Sequence, residues 1–417
     1  MNIAIFDIES AGALHHWSSI IEIGGVLVNE DLKELDRFSF RCRLPEGEIP
    51  QATALLVNKS NVDLLTKSNL SLYQMQTQLE SIIRKWTPAI FMGWSNLTFD
   101  DPMIQNSFFR GLRYPYMTNS SPNKRHDGLK IAQGAYTVDS SILKTENTAK
   151  GNPSLSLPSL CRNNGIDSSG SHSALYDSLL VQKILTLIKK KQPETWDLFL
   201  RTSSRLDSET ILKRDKIFTI QETYYGKYYK FLVSPLHPKA CVHPIYKWGV
   251  TCDLKAPIEK LLDLSISDLK TEIKKTKLLK QIKLNKAPII LPDTYGLKQE
   301  PYSSIDPQLI KKRAELVKNN ERFSQNILTI LRETAEEKEQ SKTQEDIYAE
   351  ESILKFSSGQ DTALFPKWHS ANWQDKLKIL SSFQDDRLVY FGKRIIYQES
   401  PETLPPDILK SIKREIA

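Results

Sequence analysis

The sequence predicts a mixed α/β domain at the start of the chain, a β-rich region after it and a helical region at the end. Within residues 1–190, short apolar runs alternate with segments whose apolar residues recur at helical spacing, which is typical of strands mixed with helices. Short β-rich pieces separated by prolines follow between 217 and 292. From Pro307 to Glu337, a long segment without internal glycine or proline favours helix.

The elements of the first domain can be placed in order along the chain. Strands are predicted at Asn2–Ile8, Ser19–Asn29, Phe38–Leu44 and Ala89–Gly93. Helices are predicted at Leu72–Lys85, Asp100–Leu112, Ser154–Asn164 and Ser173–Lys190. We expect Asp100 or Asp101 to be the N-cap of its helix, with Pro102 in the first turn, because short acidic side chains accept hydrogen bonds from the first backbone N–H groups.

The later elements define two further domains. The strands predicted beyond Gln192–Pro193 are Ile217–Ile220, Tyr228–Val233, Pro244–Cys252 and Ala287–Leu291, and they indicate a small barrel or half-barrel. The helical segments predicted are Ser265–Gln281, Pro307–Glu337 and the residues after a charged linker at Glu336–Glu345, with breaks at Gly359, Pro366 and Pro401. The predicted domains are therefore 1–190, 193–338 and 341–417.

The composition excludes several classes of protein. Four cysteines in 417 residues form no CxxC pair, so neither a disulfide framework nor a zinc ribbon is indicated. No apolar run approaches the roughly 18 residues of a membrane-spanning helix, and Asp7 and Glu9 interrupt the first apolar segment, as they would not in a signal peptide. We therefore expect a cytoplasmic, reducing setting and no membrane association.

The positive charge of the chain is concentrated in its middle section. The net charge is +7, with 20 basic and 20 acidic residues in 1–200, 19 and 11 in 201–300, and 18 and 19 in 301–417. A localised basic region indicates a polyanionic partner, although a solvated lysine-rich surface would look the same. Within it, Tyr224–Lys230 interleaves tyrosine with lysine, which suits stacking on bases and contact with phosphates. The alternative is a β-hairpin whose aromatic residues form core contacts and cross-strand pairs, and we expect it to hold for about half of these tyrosines.

Two carboxylates stand close together in the first strand. Asp7 and Glu9 are two positions apart, so in a strand they point to the same face and lie roughly 6–7 Å apart. Burying two acids side by side is unfavourable unless a cation is bound between them. Their hard oxygen ligands suit Mg²⁺ or Mn²⁺. The alternative is a strand end that emerges into solvent.

Two other segments carry polar residues at the starts of helices. Asp100 follows a buried strand at the junction with a helix, where an N-cap is the simplest explanation. His172 and Asp177 flank the start of the apolar helix at Ser173–Lys190. Taken alone, they read as an exposed histidine and an ordinary helical aspartate.

The three segments together change this interpretation. The motifs DxE at Asp7, NxxFD ending at Asp100 and HxxxxD ending at Asp177 occur in this order, each in a fitting element. The chain thereby resembles the DEDDh exonuclease superfamily, and the resemblance implies a ribonuclease H-like fold. It also implies that Asp7, Glu9, Asp100 and Asp177 bind two metal ions, and that His172 acts as the general base.

The rest of the chain resembles the bacterial exodeoxyribonuclease I family within that superfamily. The chain continues for more than 200 residues beyond the predicted exonuclease domain, and Gly93–Tyr116, Leu236–Pro238 and Asn285–Pro288 resemble segments of that family. The resemblance implies an SH3-like β domain with flanking helices and a C-terminal α-helical domain. Two positions depart from the family pattern: Ser10 replaces a threonine, and Ser156 replaces an arginine that resembles a substrate contact.

The function implied by the resemblance is a Mg²⁺-dependent 3′→5′ exonuclease that degrades single-stranded DNA to 5′-mononucleotides in DNA repair and recombination. Two Mg²⁺ ions are expected, with Mn²⁺ as a substitute. Glu9 and Ser156 would contact the substrate, the protein would be a monomer, and single-stranded DNA-binding protein would be a partner. Two alternatives stay open: an RNA 3′-exonuclease with the same core, and a non-catalytic protein that binds single strands.

Overall fold

The computed structural model describes residues 1–170, 173–341, 348–353, 355 and 357–416. It divides into two compact units, each built from separate stretches of chain. The first unit comprises Met1–Lys124, Asp167–Gln182 and Asp346–Ala417, and the second comprises Arg125–Ile166 and Lys183–Glu345. The three-domain boundaries at 1–190, 193–338 and 341–417 stay a prediction.

The elements in the described residues alternate between strand and helix in the first part of the chain. The strands are β1 Asn2–Ser10, β2 Ile20–Val28, β3 Glu34–Arg41, β4 Ala89–Met92, β5 Lys124–Arg125, β6 Phe218–Tyr224, β7 Lys227–Pro235, β8 Gly249–Asp253, β9 Leu279–Ile282 and β10 Ile290–Leu291. The helices up to residue 214 are α1 Ala52–Val57, α2 Val62–Thr66, α3 Leu72–Trp86, α4 Asp100–Arg110, α5 Gly128–Val138, α6 Leu157–Asn163, α7 Ala174–Lys191, α8 Pro193–Leu200 and α9 Arg205–Arg214. The later helices are α10 Ile266–Thr276, α11 Thr294–Leu297, α12 Pro307–Asn319, α13 Glu321–Gln340, α14 Gly359–Ser370, α15 Trp373–Leu380, α16 Asp386–Glu399 and α17 Pro406–Ile416.

A five-stranded mixed sheet forms the centre of the first unit. Its strand order is β3-β2-β1-β4-β5, with β1 antiparallel to β2 and parallel to β4. On one face, Phe6 and Ile23 join Leu79 and Ile83 of α3 and Phe108 of α4 in a single hydrophobic cluster. The opposite face of β1 and β2 carries the polar residues described below.

The C-terminal helices complete the first unit. Trp368, Phe391 and Ile396 of α14 and α16 pack with Phe109 and Leu112, which lie at the end of α4 and just after it. The last part of the chain therefore shares a core with the sheet-bearing part, although more than 200 residues separate them in sequence.

The second unit contains an antiparallel sheet of order β10-β6-β7-β8-β9. Phe218 and Val250 of this sheet share a hydrophobic cluster with Val317 of α12 and with Phe323 and Ile327 of α13. A β sheet with flanking helices, followed by a helical C-terminal region, agrees with the expected fold class.

Several boundaries differ from the sequence-based expectations. The helix expected over Ser265–Gln281 ends at Thr276, because Lys277 adopts a left-handed conformation (φ 51°) and the chain continues into β9. Pro366 lies inside α14 rather than at a break. The N-cap of α4 is Phe99, so the expectation that Asp100 or Asp101 is the cap is wrong; both lie in the first helical turn.

Within the described residues, we find no helix that combines the length and the apolar character needed to cross a membrane.

Candidate active site

Asp7 and Glu9 lie on one face of β1. Phe6 and Ile8 are buried on the opposite face, whereas Asp7 and Glu9 are partly exposed. This alternation is the period of two that a strand imposes on its side chains, and it confirms that the two carboxylates share a face.

Helix α7 brings a third carboxylate to this face. Asp7 pairs with Gly24 of β2, and a Cβ atom on Gly24 would lie 2.3 Å from the backbone nitrogen of Leu175. Only a residue without a side chain therefore allows the first turn of α7 to lie directly on β2 beside Asp7. Asp177 belongs to that turn, and one carboxylate oxygen from each of Asp7, Glu9 and Asp177 lies within 4.8 Å of the others.

Asp100 approaches from the other side of β1. Strand β4 runs parallel to β1, and a Cβ atom on Gly93 would lie 2.5 Å from the carbonyl oxygen of Phe6. The chain thus leaves the sheet in close contact with β1 and enters α4 at Asp100, which is only 4% exposed. The charge of Asp100 raises the pKa of Asp7, so the two carboxyl groups are close enough to interact.

The asparagine of the NxxFD motif shapes the loop before α4. Asn96 is fully buried. Its side-chain amide donates to the Asp101 carboxylate at 3.3 Å, and its backbone carbonyl oxygen accepts from the Asp101 backbone N–H at 2.9 Å. These two bonds fold the loop back onto the start of α4. Asn96 therefore positions the turn that carries Asp100.

The carboxylates oppose one another's ionisation. Burial raises the pKa of Asp7 well above its ordinary value, and the charges of Asp100, Asp177 and Glu9 raise it further. Burial also raises the pKa of Glu9 to about 7; Asp177 adds to this rise, and Arg41 opposes it. Clustered hard oxygen donors whose mutual repulsion Arg41 offsets only in part fit a divalent metal ion.

Two further residues, His172 and Ser156, are predicted to act at this site. His172 lies outside the described residues, and its role as a base stays a prediction. Ser156 is an exposed residue before α6 in the second unit, and its hydroxyl lies 3.3 Å from the Ser154 hydroxyl. Its role as a substrate contact also stays a prediction.

Sequence reasoning missed Glu22. This residue is 4% exposed on β2, and its carboxylate binds Arg41 of β3 and the backbone at the start of α7. The available signal was a single glutamate within the apolar segment Ile20–Val28, where a charge needs a specific partner.

The tyrosines of the basic region lie on two different faces of the hairpin formed by β6 and β7. Tyr224 and Tyr229 are 45% and 41% exposed, with ring centroids 5.8 Å apart. They adjoin Phe231, whose ring lies 3.9 Å from the Lys280 ammonium group. Tyr228 points to the other face and packs on the ring of Tyr136, with the two ring centroids 5.7 Å apart. Tyr228 is thus half-buried against Tyr136, whereas Tyr224 and Tyr229 form a cross-strand pair whose rings stay partly exposed.

The comparison with protein families assigns the class. Residues 4–185 match the model of the exonuclease family RNase_T, a range that contains all four carboxylates of the site. The chain is therefore a nuclease, a hydrolase with an exonuclease domain.

The individual proteins that this chain resembles are exonucleases I. Exodeoxyribonuclease I of Buchnera aphidicola subsp. Schizaphis graminum is 22% identical over 408 residues, which cover 93% of this chain and 81% of that protein. Exonuclease I from Methylocaldum szegediense superposes with a TM-score of 0.79 at 20% identity, over 100% of this chain and 89% of that one. E. coli Exonuclease I in complex with a dA16 oligonucleotide gives 0.80 at 19% identity, over 100% and 90%.

These similarities extend over nearly the whole chain. At such identities the likeness to the solved structures shows the fold, and it agrees with the expected fold class: a mixed sheet with helices, then a second sheet and a helical C-terminal region. The resemblance to exodeoxyribonuclease I inferred from the motifs is confirmed.

Proposed function

We propose that this chain is a 3′→5′ exodeoxyribonuclease that degrades single-stranded DNA to 5′-mononucleotides with two Mg²⁺ ions. The observation that carries the proposal is the convergence of Asp7, Glu9 and Asp177 within 4.8 Å, with Asp100 close enough to raise the pKa of Asp7. The direction, the DNA preference and the product rest on the resemblance to exodeoxyribonuclease I.

The four carboxylates would hold the two ions. Asp7 and Glu9 present their oxygens from a rigid strand, and Asp177 and Asp100 present theirs from the first turns of α7 and α4. Bound Mg²⁺, or Mn²⁺ in its place, lowers the pKa of water and offsets charge on the phosphate. The bound cations would also offset the charge of the four carboxylates, which would otherwise repel an anionic phosphate.

His172 would accept the proton of the attacking water. An imidazole ring nitrogen has an ordinary pKa near 6.5 and so can take up a proton near neutral pH. This assignment rests on the spacing of His172 and Asp177 and on the resemblance. Glu9 and Ser156 are the proposed substrate contacts.

The second unit would hold the single strand. Tyr224 and Tyr229 offer two exposed rings, and Lys280 brings positive charge to the adjoining Phe231; stacking surfaces beside cations bind single strands without sequence preference. The dA16 complex of E. coli Exonuclease I supports a DNA ligand for this chain. Contact with single-stranded DNA-binding protein, a monomeric state, a cytoplasmic location and a role in DNA repair and recombination are proposed from the resemblance.

A time course on a 5′-labelled single strand, with and without Mg²⁺, tests the proposal. The wild-type protein should give a ladder that shortens from the 3′ end only when Mg²⁺ is present, and Asp7→Asn should give none. Asp31→Asn serves as the matched control because Asp31 is an exposed acid in the turn after β2. Unchanged degradation by Asp7→Asn would refute the assigned site.

The same assay separates the alternatives. A DNA and an RNA strand of equal length are supplied together, each with its own label. Preferential shortening of RNA would favour the RNA exonuclease, and tight binding without shortening of either strand would favour a non-catalytic binding protein.

A further inference from the structure

Glu22 lies in a row of three charged residues across the first sheet. In the strand register it stands opposite Glu9 of β1 on one side and Arg41 of β3 on the other. Residues that are directly opposite in neighbouring strands share a face, and like charges in this position destabilise a sheet. The pairing of Glu22 with Arg41 offsets this repulsion.

The Glu22 carboxylate also contacts the start of helix α7. One of its oxygens accepts hydrogen bonds from the Ala174 backbone N–H at 2.9 Å and from the Ser173 hydroxyl at 3.1 Å. The first N–H groups of a helix have no partner within the helix, and a negative charge there is favourable to the helix dipole. Glu22, a strand residue 152 positions before Ala174, therefore supplies the hydrogen-bond acceptor that an N-cap side chain often supplies to a helix.

These contacts fix the turn that carries Asp177. The Asp177 backbone N–H donates to the Ser173 carbonyl oxygen at 2.9 Å, so both belong to one helical turn. The Ser178 hydroxyl donates to the Gly24 carbonyl oxygen at 3.1 Å, which ties the same turn to β2. Because Glu22 stands opposite Glu9 and Gly24 stands opposite Asp7, the turn is held in register with both acids of β1.

We propose that Glu22 is a positioning residue, whose carboxylate holds the first turn of α7 so that Asp177 meets Asp7 and Glu9 at metal-binding distance. This inference rests on the proposed function, since it concerns the same metal site. Glu22 itself touches neither substrate nor metal in this account. Its role is to accept two hydrogen bonds in a buried place where water cannot replace it.

Direct Mn²⁺ binding, measured by electron paramagnetic resonance without nucleic acid, tests the proposal. Glu22→Ala removes both acceptor contacts, and we expect Mn²⁺ affinity to fall by about 10- to 100-fold, the usual cost of losing a residue that supports metal ligands. Glu22→Gln keeps a side-chain oxygen for Ala174 and Ser173, and we expect its affinity to stay within about threefold of wild type. Glu34→Ala, which breaks an exposed glutamate–arginine pair on β3, should leave affinity unchanged.

The outcomes separate this inference from the proposed function. Wild-type affinity in Glu22→Ala, or an equal loss in Glu22→Gln and Glu22→Ala, would overturn the positioning role alone. No Mn²⁺ binding by the wild-type protein would overturn the metal site and this inference together. If circular dichroism shows that Glu22→Ala does not fold, Glu22→Gln decides: retained affinity supports the role, and lost affinity overturns it.

Discussion

Replacing Glu9 by glutamine is expected to stabilise the metal-free protein at pH 8 and to have little effect at pH 5. Burial and the charge of Asp177 raise the pKa of Glu9 to about 7, above its ordinary value of 4.5. Between about pH 4.5 and pH 7, Glu9 is therefore protonated in the folded state and ionised in the unfolded state. The stabilisation from that proton is complete below about pH 4.5 and disappears as the pH rises through about 7.

The size of the effect follows from the difference between the two pKa values of Glu9. At about 1.36 kcal/mol per pKa unit, the difference corresponds to about 3.4 kcal/mol. Glu9 is partly exposed, so solvent screening reduces the expected effect to about 2 kcal/mol. Glutamine keeps the shape of the protonated acid without the charge and should recover this amount at pH 8.

Urea unfolding in EDTA, at pH 5 and pH 8, measures the difference for wild type and Glu9→Gln. Added Mn²⁺ should then stabilise the wild-type protein and not the variant, because a ligand that binds only the folded state raises its free energy of unfolding. An equal difference between the two proteins at both pH values would refute the reasoning that like charges crowd at this site.

Three further predictions concern other parts of the molecule. Gly24→Ala should destabilise the protein by about 1–3 kcal/mol in urea unfolding and lower nuclease activity, because its new Cβ would meet the Leu175 backbone at 2.3 Å; wild-type stability would contradict the close approach of α7. His172→Ala should lower the rate on single-stranded DNA by about 10²–10⁴ while Mn²⁺ binding stays unchanged, and an unchanged rate would exclude it as the base. Tyr229→Ala should weaken binding of single-stranded DNA in EDTA by about 1–3 kcal/mol, measured by fluorescence anisotropy, whereas Tyr228→Phe should not; equal effects would contradict the sorting of the two faces.

The sequence predicted the sheet of the first unit better than the elements around β9. Strands β1, β2 and β4 lie within one or two residues of their expected positions, because buried strands read as continuous apolar runs. Strand β9 was missed because Leu279–Ile282 continues the lysine-rich, amphipathic pattern of the helix before it. What ends that helix is the left-handed backbone of Lys277 and the pairing of β9 with β8, neither of which is visible in residue periodicity.

The sequence indicated the carboxylates of the candidate site and did not indicate the contacts that hold them in place. The strand period alone placed Asp7 and Glu9 on one face, and the family motifs added Asp100 and Asp177. The close approach of α7 depends on the absence of a side chain at Gly24. Residue periodicity does not reveal that a helix packs on this glycine. The role of Glu22 depends on contacts with backbone atoms about 150 residues away, for which the sequence carries no spacing signal.

A crystal of the protein soaked in Mn²⁺ and measured at the manganese absorption edge tests the central claim most directly. We expect anomalous peaks about 2.0–2.2 Å from carboxylate oxygens of Asp7, Glu9 and Asp177, and a second peak that includes Asp100 among its ligands. Peaks elsewhere on the molecule, with none at these carboxylates, would contradict the claim that this cluster is the metal centre of the nuclease.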